Sequence, residues 1–153
     1  MRSYSKIETA GMNRFTIGET ENWSLTPVSG YSQCKLMPLE QSLEHVESLV
    51  PSLSDSIKNA KEVCKQSPTH GLTLDESAAI MLYSMEVGEH NFYRKLNQTL
   101  RMADRNKVKP WFPFLKLFDT ALRKVPIFKG TIWRAVSGNF SHDYEHNKVV
   151  IWW

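Results

Sequence analysis

At 153 residues the chain has the size of one ordinary domain, and 41% hydrophobic with 23% charged residues is a globular composition. The net charge of +3 comes without a Lys/Arg run or an aromatic–basic stripe, so no nucleic-acid partner is expected. No apolar run is long enough to span a bilayer, and the N-terminal "MRSYSKIETAGMNRF" has no apolar signal core. No membrane association is expected, and cytoplasmic is the default localisation, with secretion left open.

Residues 1–33 carry Ser, Thr, Gly and Asn with little periodicity and read as a flexible lead. Cys34 and Cys64 lack a CxxC spacing or a nearby His pair, so two free thiols are expected, with a disulfide only if the protein is exported.

From Pro38 the apolar period becomes helical. "PLEQSLEHVESLV" places Leu39, Leu43, Val46 and Leu49 or Val50 on one stripe, with Pro38 at a tolerated first-turn position. Pro51 breaks that run. "SLSDSIKNAKEVCKQ" restarts with Ser52 or Ser54 as N-cap and Leu53, Ile57, Ala60 and Cys64 as its stripe. "LTLDESAAIMLYSME" opens on Thr73-x-x-Glu76, the spacing of a capping box, and buries Ala78, Met81, Leu82 and Met85. Gly88 is its expected stop. "EHNFYRKLNQTLRMADR" predicts a further helix with Phe92 or Tyr93, Leu96, Leu100 and Ala103 inward. "KPWFPFLKLFDTALRKV" is the clearest helix, with Pro113 in its first turn and Leu115, Phe118, Leu122 and Val125 as its buried face. Pro126 and Gly130 end it.

The period then changes to two. "TIWRAV" and "KVVIWW" are rich in β-formers and read as strands around a loop, "SGNFSHDYEHN". Helices followed by strands predict an α+β fold: a flexible lead over 1–33, a helical subdomain of about five helices over 34–128, and strands over 129–153. Two strands alone make a marginal sheet, so the apolar end "VVIWW" is expected to pair with further sequence or with a partner.

Few residues carry chemistry by themselves. GxSxG, GxGxxG, P-loop and HExxH motifs are absent. His142, Asp143, Glu145 and His146 cluster in the loop and read best as solvated, so no metal site is expected. Asn97 and Arg101 in "LNQTLR" lie one helical turn apart and suit a ligand with hydrogen-bonding edges and phosphate oxygens, although an ordinary polar face explains them too. Arg134 sits in a strand pattern between Ile132 and Val136 and needs an anion there. From spacing alone a salt bridge to Asp119, Asp143 or Glu145 serves it best.

Taken in order, "GLTLDESAAIMLYSME", "FYRKLNQTLR", "KPWFPFLKLFDTALRKVP", "TIWRAVSGNFSHDY" and "KVVIWW" resemble segments of the NAD(P)+–protein-arginine mono-ADP-ribosyltransferases, over about residues 27–153. That family's signature is an arginine on the first sheet strand, a Ser-centred strand and a Glu-x-Glu loop. Arg134 matches the first element, and the resemblance implies that it is catalytic and binds a phosphate of NAD+ near the nicotinamide ribose. Ala135 stands where the family usually has glycine, against the nicotinamide. Asn97 and Arg101 match the family's Asn-x-x-Leu-Arg helix and would contact the adenosine and diphosphate side.

The resemblance implies a split β-sheet of which this chain carries the first strands, NAD+ as substrate, no metal, and a protein arginine as acceptor. No segment matches the Ser element or the Glu-x-Glu, and "KVVIWW" stops where the family would continue. The expectation is therefore an N-terminal portion without full activity. The alternative is a non-enzymatic remnant, a helical protein-interaction module that docks a partner through residues 148–153.

Overall fold

The computed structural model describes residues 28–65, 69–85 and 91–131. They form five α-helices: α1 (Leu39–Leu43), α2 (Leu53–Cys64), α3 (Leu74–Ser84), α4 (Phe92–Leu100) and α5 (Phe112–Leu122). Three 3-10 segments join them, at Tyr31–Gln33, Glu44–Leu49 and Arg105–Trp111. These helices belong to one compact unit that ends at Phe128, and Lys129 falls in a second.

The α+β assignment is corrected: among the described residues there is no strand, and the fold they show is all-helical. Of "TIWRAV" only Thr131 is described, and it is exposed and outside any strand; "KVVIWW" lies outside the described residues. The strands expected from alternation and β-propensity, and the split sheet that the resemblance implied, are thus not part of the described structure. The physical reason is that both signals are local, whereas a strand exists only through a ladder with a neighbour, and none of the described residues supplies one.

The first predicted helix begins as expected but tightens. After α1 the chain winds into the 3-10 segment Glu44–Leu49, and Val46 and Val50 are buried whereas Leu49 is 44% exposed. Helix α2 starts where Ser52 was expected to cap it, but Ser52 has φ 53 and makes no side-chain cap bond. The left-handed turn after Pro51 takes the place of a capping hydroxyl, at a strain cost for a non-glycine residue. Leu53, Ile57 and Ala60 are buried as the stripe requires, and Cys64 is half-buried.

Helix α3 opens on the full capping box. The Glu76 N–H donates to Thr73 Oγ1 at 3.2 Å, and the Thr73 N–H donates to Glu76 Oε2 at 2.8 Å. Ala78 and Leu82 are buried as expected, joined by Ala79, with Met81 and Met85 partly buried at the rim of the core. The helix ends at Ser84, and the expected stop Gly88 lies outside the described residues.

Helix α4 is capped by Asn91, whose Oδ1 accepts from the Arg94 N–H at 2.8 Å. Phe92 and Leu96 are buried and Leu100 is partly buried; Ala103 is exposed, because the helix has already ended at Leu100.

Helix α5 departs furthest from expectation. Its fully buried residues are Phe114, Leu117 and Ala121; of the predicted face, Leu115 and Phe118 are partly buried against the core, and Leu122 and Val125 are exposed. Leu122 is 46% and Val125 36% exposed. A helix apolar around most of its girth fits several phases, so its neighbours choose among them. Here α5 packs against α1 and α3, and Phe114 meets Phe92 edge-on and stacks with Phe118, at ring separations of 4.8 and 5.7 Å. Trp111, fully buried at the start of α5, closes this cluster 5.6 Å from Phe92.

Two further contacts fix the unit. Gly30 has φ 96, and a Cβ there would stand 3.3 Å from the Phe112 ring, so glycine answers both the backbone and the space. Lys116 Nζ donates to the Ser32 carbonyl at 3.0 Å, holding the Tyr31–Gln33 turn on α5.

Candidate functional site

Of the residues singled out from sequence, Asn97 and Arg101 are described. Asn97 is half-buried on the last turns of α4. Its Nδ2 donates to the Tyr93 carbonyl at 2.8 Å and to Tyr83 Oη at 3.4 Å. Tyr83 in turn packs edge-on to Tyr93 and tilted on Phe118, with ring centres 5.0 and 4.8 Å apart. Asn97 is therefore held by its own helix and by Tyr83 of α3, which Phe118 of α5 packs against.

Arg101 is the C-cap of α4, exposed, with its N–H donating to the Asn97 carbonyl at 3.2 Å. The pair thus lies one turn apart at the end of α4, joined by a backbone bond. Next to them Arg105 Nη1 donates to the Leu100 carbonyl at 2.6 Å and reaches the Met102 carbonyl at 3.5 Å, satisfying carbonyls that the helix leaves open. From 92 to 111 the chain carries Arg94, Lys95, Arg101, Arg105, Lys107 and Lys109 against one acid, Asp104. Cations near a helix C-terminus are favoured by its dipole, so part of this charge serves the helix itself. What the arrangement offers chemically is a guanidinium and the Asn97 Oδ1 acceptor, because both Nδ2 hydrogens already go to Tyr93 and Tyr83. Neither side chain is a nucleophile or an acid–base group at neutral pH.

Arg134 and Ala135 lie outside the described residues, as do His142, Asp143, Glu145, His146 and residues 148–153. Asp119, one salt-bridge partner weighed for Arg134, accepts from Arg123 Nε at 2.9 Å. Cys34 and Cys64 are free thiols, and burial pushes the Cys64 thiol up, away from thiolate reactivity. Among the described residues no group of His, Cys, Asp and Glu could hold a metal, and no helix is long and apolar enough to cross a membrane.

Sequence reasoning missed two ionic centres. Glu76, already in the capping box, is 2% exposed and receives Lys124 Nζ at 2.7 and 2.8 Å on its two oxygens. Burial alone would raise the Glu76 pKa; the Lys124 ammonium and the Thr73 N–H outweigh it and hold the carboxyl below its usual range. Lys61 of α2 lies 2.7 Å from Glu40 of α1 and 2.6 Å from Asp75 of α3, tying three helices. Burial pulls its pKa down, but the two carboxylates win and raise it. Lys124 stands 48 residues from Glu76, and no local pattern announces such a pair.

A groove of about 330 Å³ between α1, its 3-10 extension and α2 also carried no single-motif signal. Compared with known proteins, the chain matches no family model, no curated protein and no solved structure. The likeness to the arginine ADP-ribosyltransferases accordingly rests on the quoted segments alone.

Proposed function

We propose that the chain binds NAD+ as part of a mono-ADP-ribosyltransferase that modifies protein arginine. The observation that carries the reading is the ordered run of resembling segments, "GLTLDESAAIMLYSME", "FYRKLNQTLR", "KPWFPFLKLFDTALRKVP" and "TIWRAVSGNFSHDY". Support comes from the fold: the first three hold α3, α4 and α5, which share one core, and Asn97 and Arg101 stand together at the end of α4.

In this reading Arg101 pairs with the diphosphate, because a guanidinium forks onto phosphate oxygens. Asn97 accepts with its Oδ1 from a donor on the adenosine side, its Nδ2 being held by Tyr93 and Tyr83, and Arg134 takes the phosphate next to the nicotinamide ribose. The Ala135 amide lies against the nicotinamide. In the transfer itself the bond from the ribose anomeric carbon to nicotinamide breaks, and an acceptor guanidino nitrogen bonds to that carbon and loses a proton. The oxocarbenium-like state between these events needs a carboxylate to stabilise it. No segment of the 153 residues matches the family's Glu-x-Glu, so binding without efficient transfer is the activity proposed for this chain alone.

Calorimetric titration of NAD+ tests the reading. Weak, saturable binding is expected in the parent chain and its loss in Arg134→Ala. Equal binding by the variant removes Arg134 from the site, and ADP-ribose transfer to arginine above a no-protein control overturns the claim of inefficient transfer.

A further inference from the structure

We propose that the groove between α1 and α2 is a docking site for a cationic peptide segment that presents one or two aliphatic anchors between lysines or arginines. The site stands whether or not the chain binds NAD+.

The argument begins with spacing. Glu40, Glu44 and Glu47 follow each other at four and three residues, so they share one edge of α1 and its 3-10 continuation. All three are exposed and line the groove, and Leu43, Leu53 and Ile57, themselves at most 5% exposed, close its narrow floor. The volume of 330 Å³ is within the range of ligand-binding clefts and takes one or two aliphatic side chains.

Charge selects the occupant. Like charges repeated at helical spacing repel one another, a cost that an opposite charge laid along them removes. Glu40 is shared with Lys61, but Lys61 also holds Asp75, so this edge stays net anionic. The cation on the facing wall, Lys58, is exposed and lies 3.8 Å from Asp55. Residues 39–49 contain no Lys or Arg at all. An apolar floor under an acidic edge fits a segment whose anchors are aliphatic and whose flanks are basic, and it repels an acidic one.

The test uses the full chain and a synthetic amidated peptide with two leucines flanked by lysines, alongside a control with glutamates in place of the lysines. Methyl NMR is expected to show saturable shifts at Leu43, Leu53 and Ile57 with the basic peptide only. Glu44→Lys with Glu47→Lys weakens binding by about tenfold or more. Should the reversal disturb the 3-10 segment, Glu44→Gln with Glu47→Gln keeps the shape and still weakens binding. Equal binding of the acidic control, parent-like affinity in the folded charge variants, or methyl shifts centred elsewhere overturns the proposal. Concentration-dependent shifts of the same methyls without peptide, which would mark a second copy of the chain in the groove, overturn it as well.

Discussion

Glu76 and Lys124 meet across α3 and α5, 48 residues apart, with the carboxylate almost sealed from water and shared with a helix cap. Asn97 and Arg101 lie one turn apart on α4, the first with a side chain bonded to its own helix and to one tyrosine, the second an exposed C-cap. The first centre joins distant parts of the chain in a dry place; the second orients its groups locally and leaves one in solvent. The contrast separates polar groups tied across the fold from polar groups oriented within one helix turn and its immediate neighbour. Arg123 and Lys124 make the same point side by side: the exposed Arg123 reaches only Asp119, four residues back, while Lys124 reaches into the core's edge.

The sharpest way to break this contrast is Glu76→Ala. It removes half of a capping box and leaves Lys124 without its carboxylate, so a loss of about 2–4 kcal/mol is expected in denaturant unfolding. A loss below that of Asn97→Ala would put the two centres on the same footing.

Acid comes next. The folded-state pKa of Glu76 lies below its unfolded value, so its contribution is complete above the unfolded pKa and is lost as pH falls through the folded one. Stability of the parent chain should therefore drop more steeply between about pH 5 and pH 2 than that of Glu76→Gln, and parallel curves would deny the pairing its role. Lys61 has the opposite sign: its pKa is raised, so its contribution is complete below the unfolded value and fades only as strong alkali strips the folded ammonium. Lys61→Met is expected to cost about 1 kcal/mol at neutral pH, discounted because Glu40 is half in solvent.

Asn97→Ala loses two hydrogen bonds, the longer at 3.4 Å, and should cost about 0.5–1 kcal/mol. Smallest of all is Arg123→Ala, which removes one exposed ion pair and should leave the thermal midpoint nearly where it is; a clear drop would make that pair part of the scaffold.

How much of this was legible beforehand follows the same division. The Thr73–Glu76 box was readable because both bonds depend on a fixed three-residue spacing. The α2 stripe was readable because polar residues flank it and leave one phase. Helix α5 misled because Leu115, Phe118 and Leu122 are as apolar as Phe114 and Leu117, and only packing against α1 and α3 decides which go inside. The end of α4 was placed three residues too late at Ala103, since Arg105 closes its carbonyls from outside the periodic run. At the candidate site, spacing put Asn97 and Arg101 on one turn, but nothing in "LNQTLR" points to Tyr83, fourteen residues earlier, as the group that helps aim the amide. The α+β reading failed where it relied on local β-propensity without a described partner strand.

The central claim is that the α4 end and Arg134 receive NAD+. A backbone amide NMR titration of the full chain with NAD+ tests it most directly. The account predicts saturable shifts at the amides of Asn97, Arg101 and Arg134, abolished together in the folded Arg101→Ala chain. Shifts confined to other residues, or no shifts at millimolar NAD+, would contradict it.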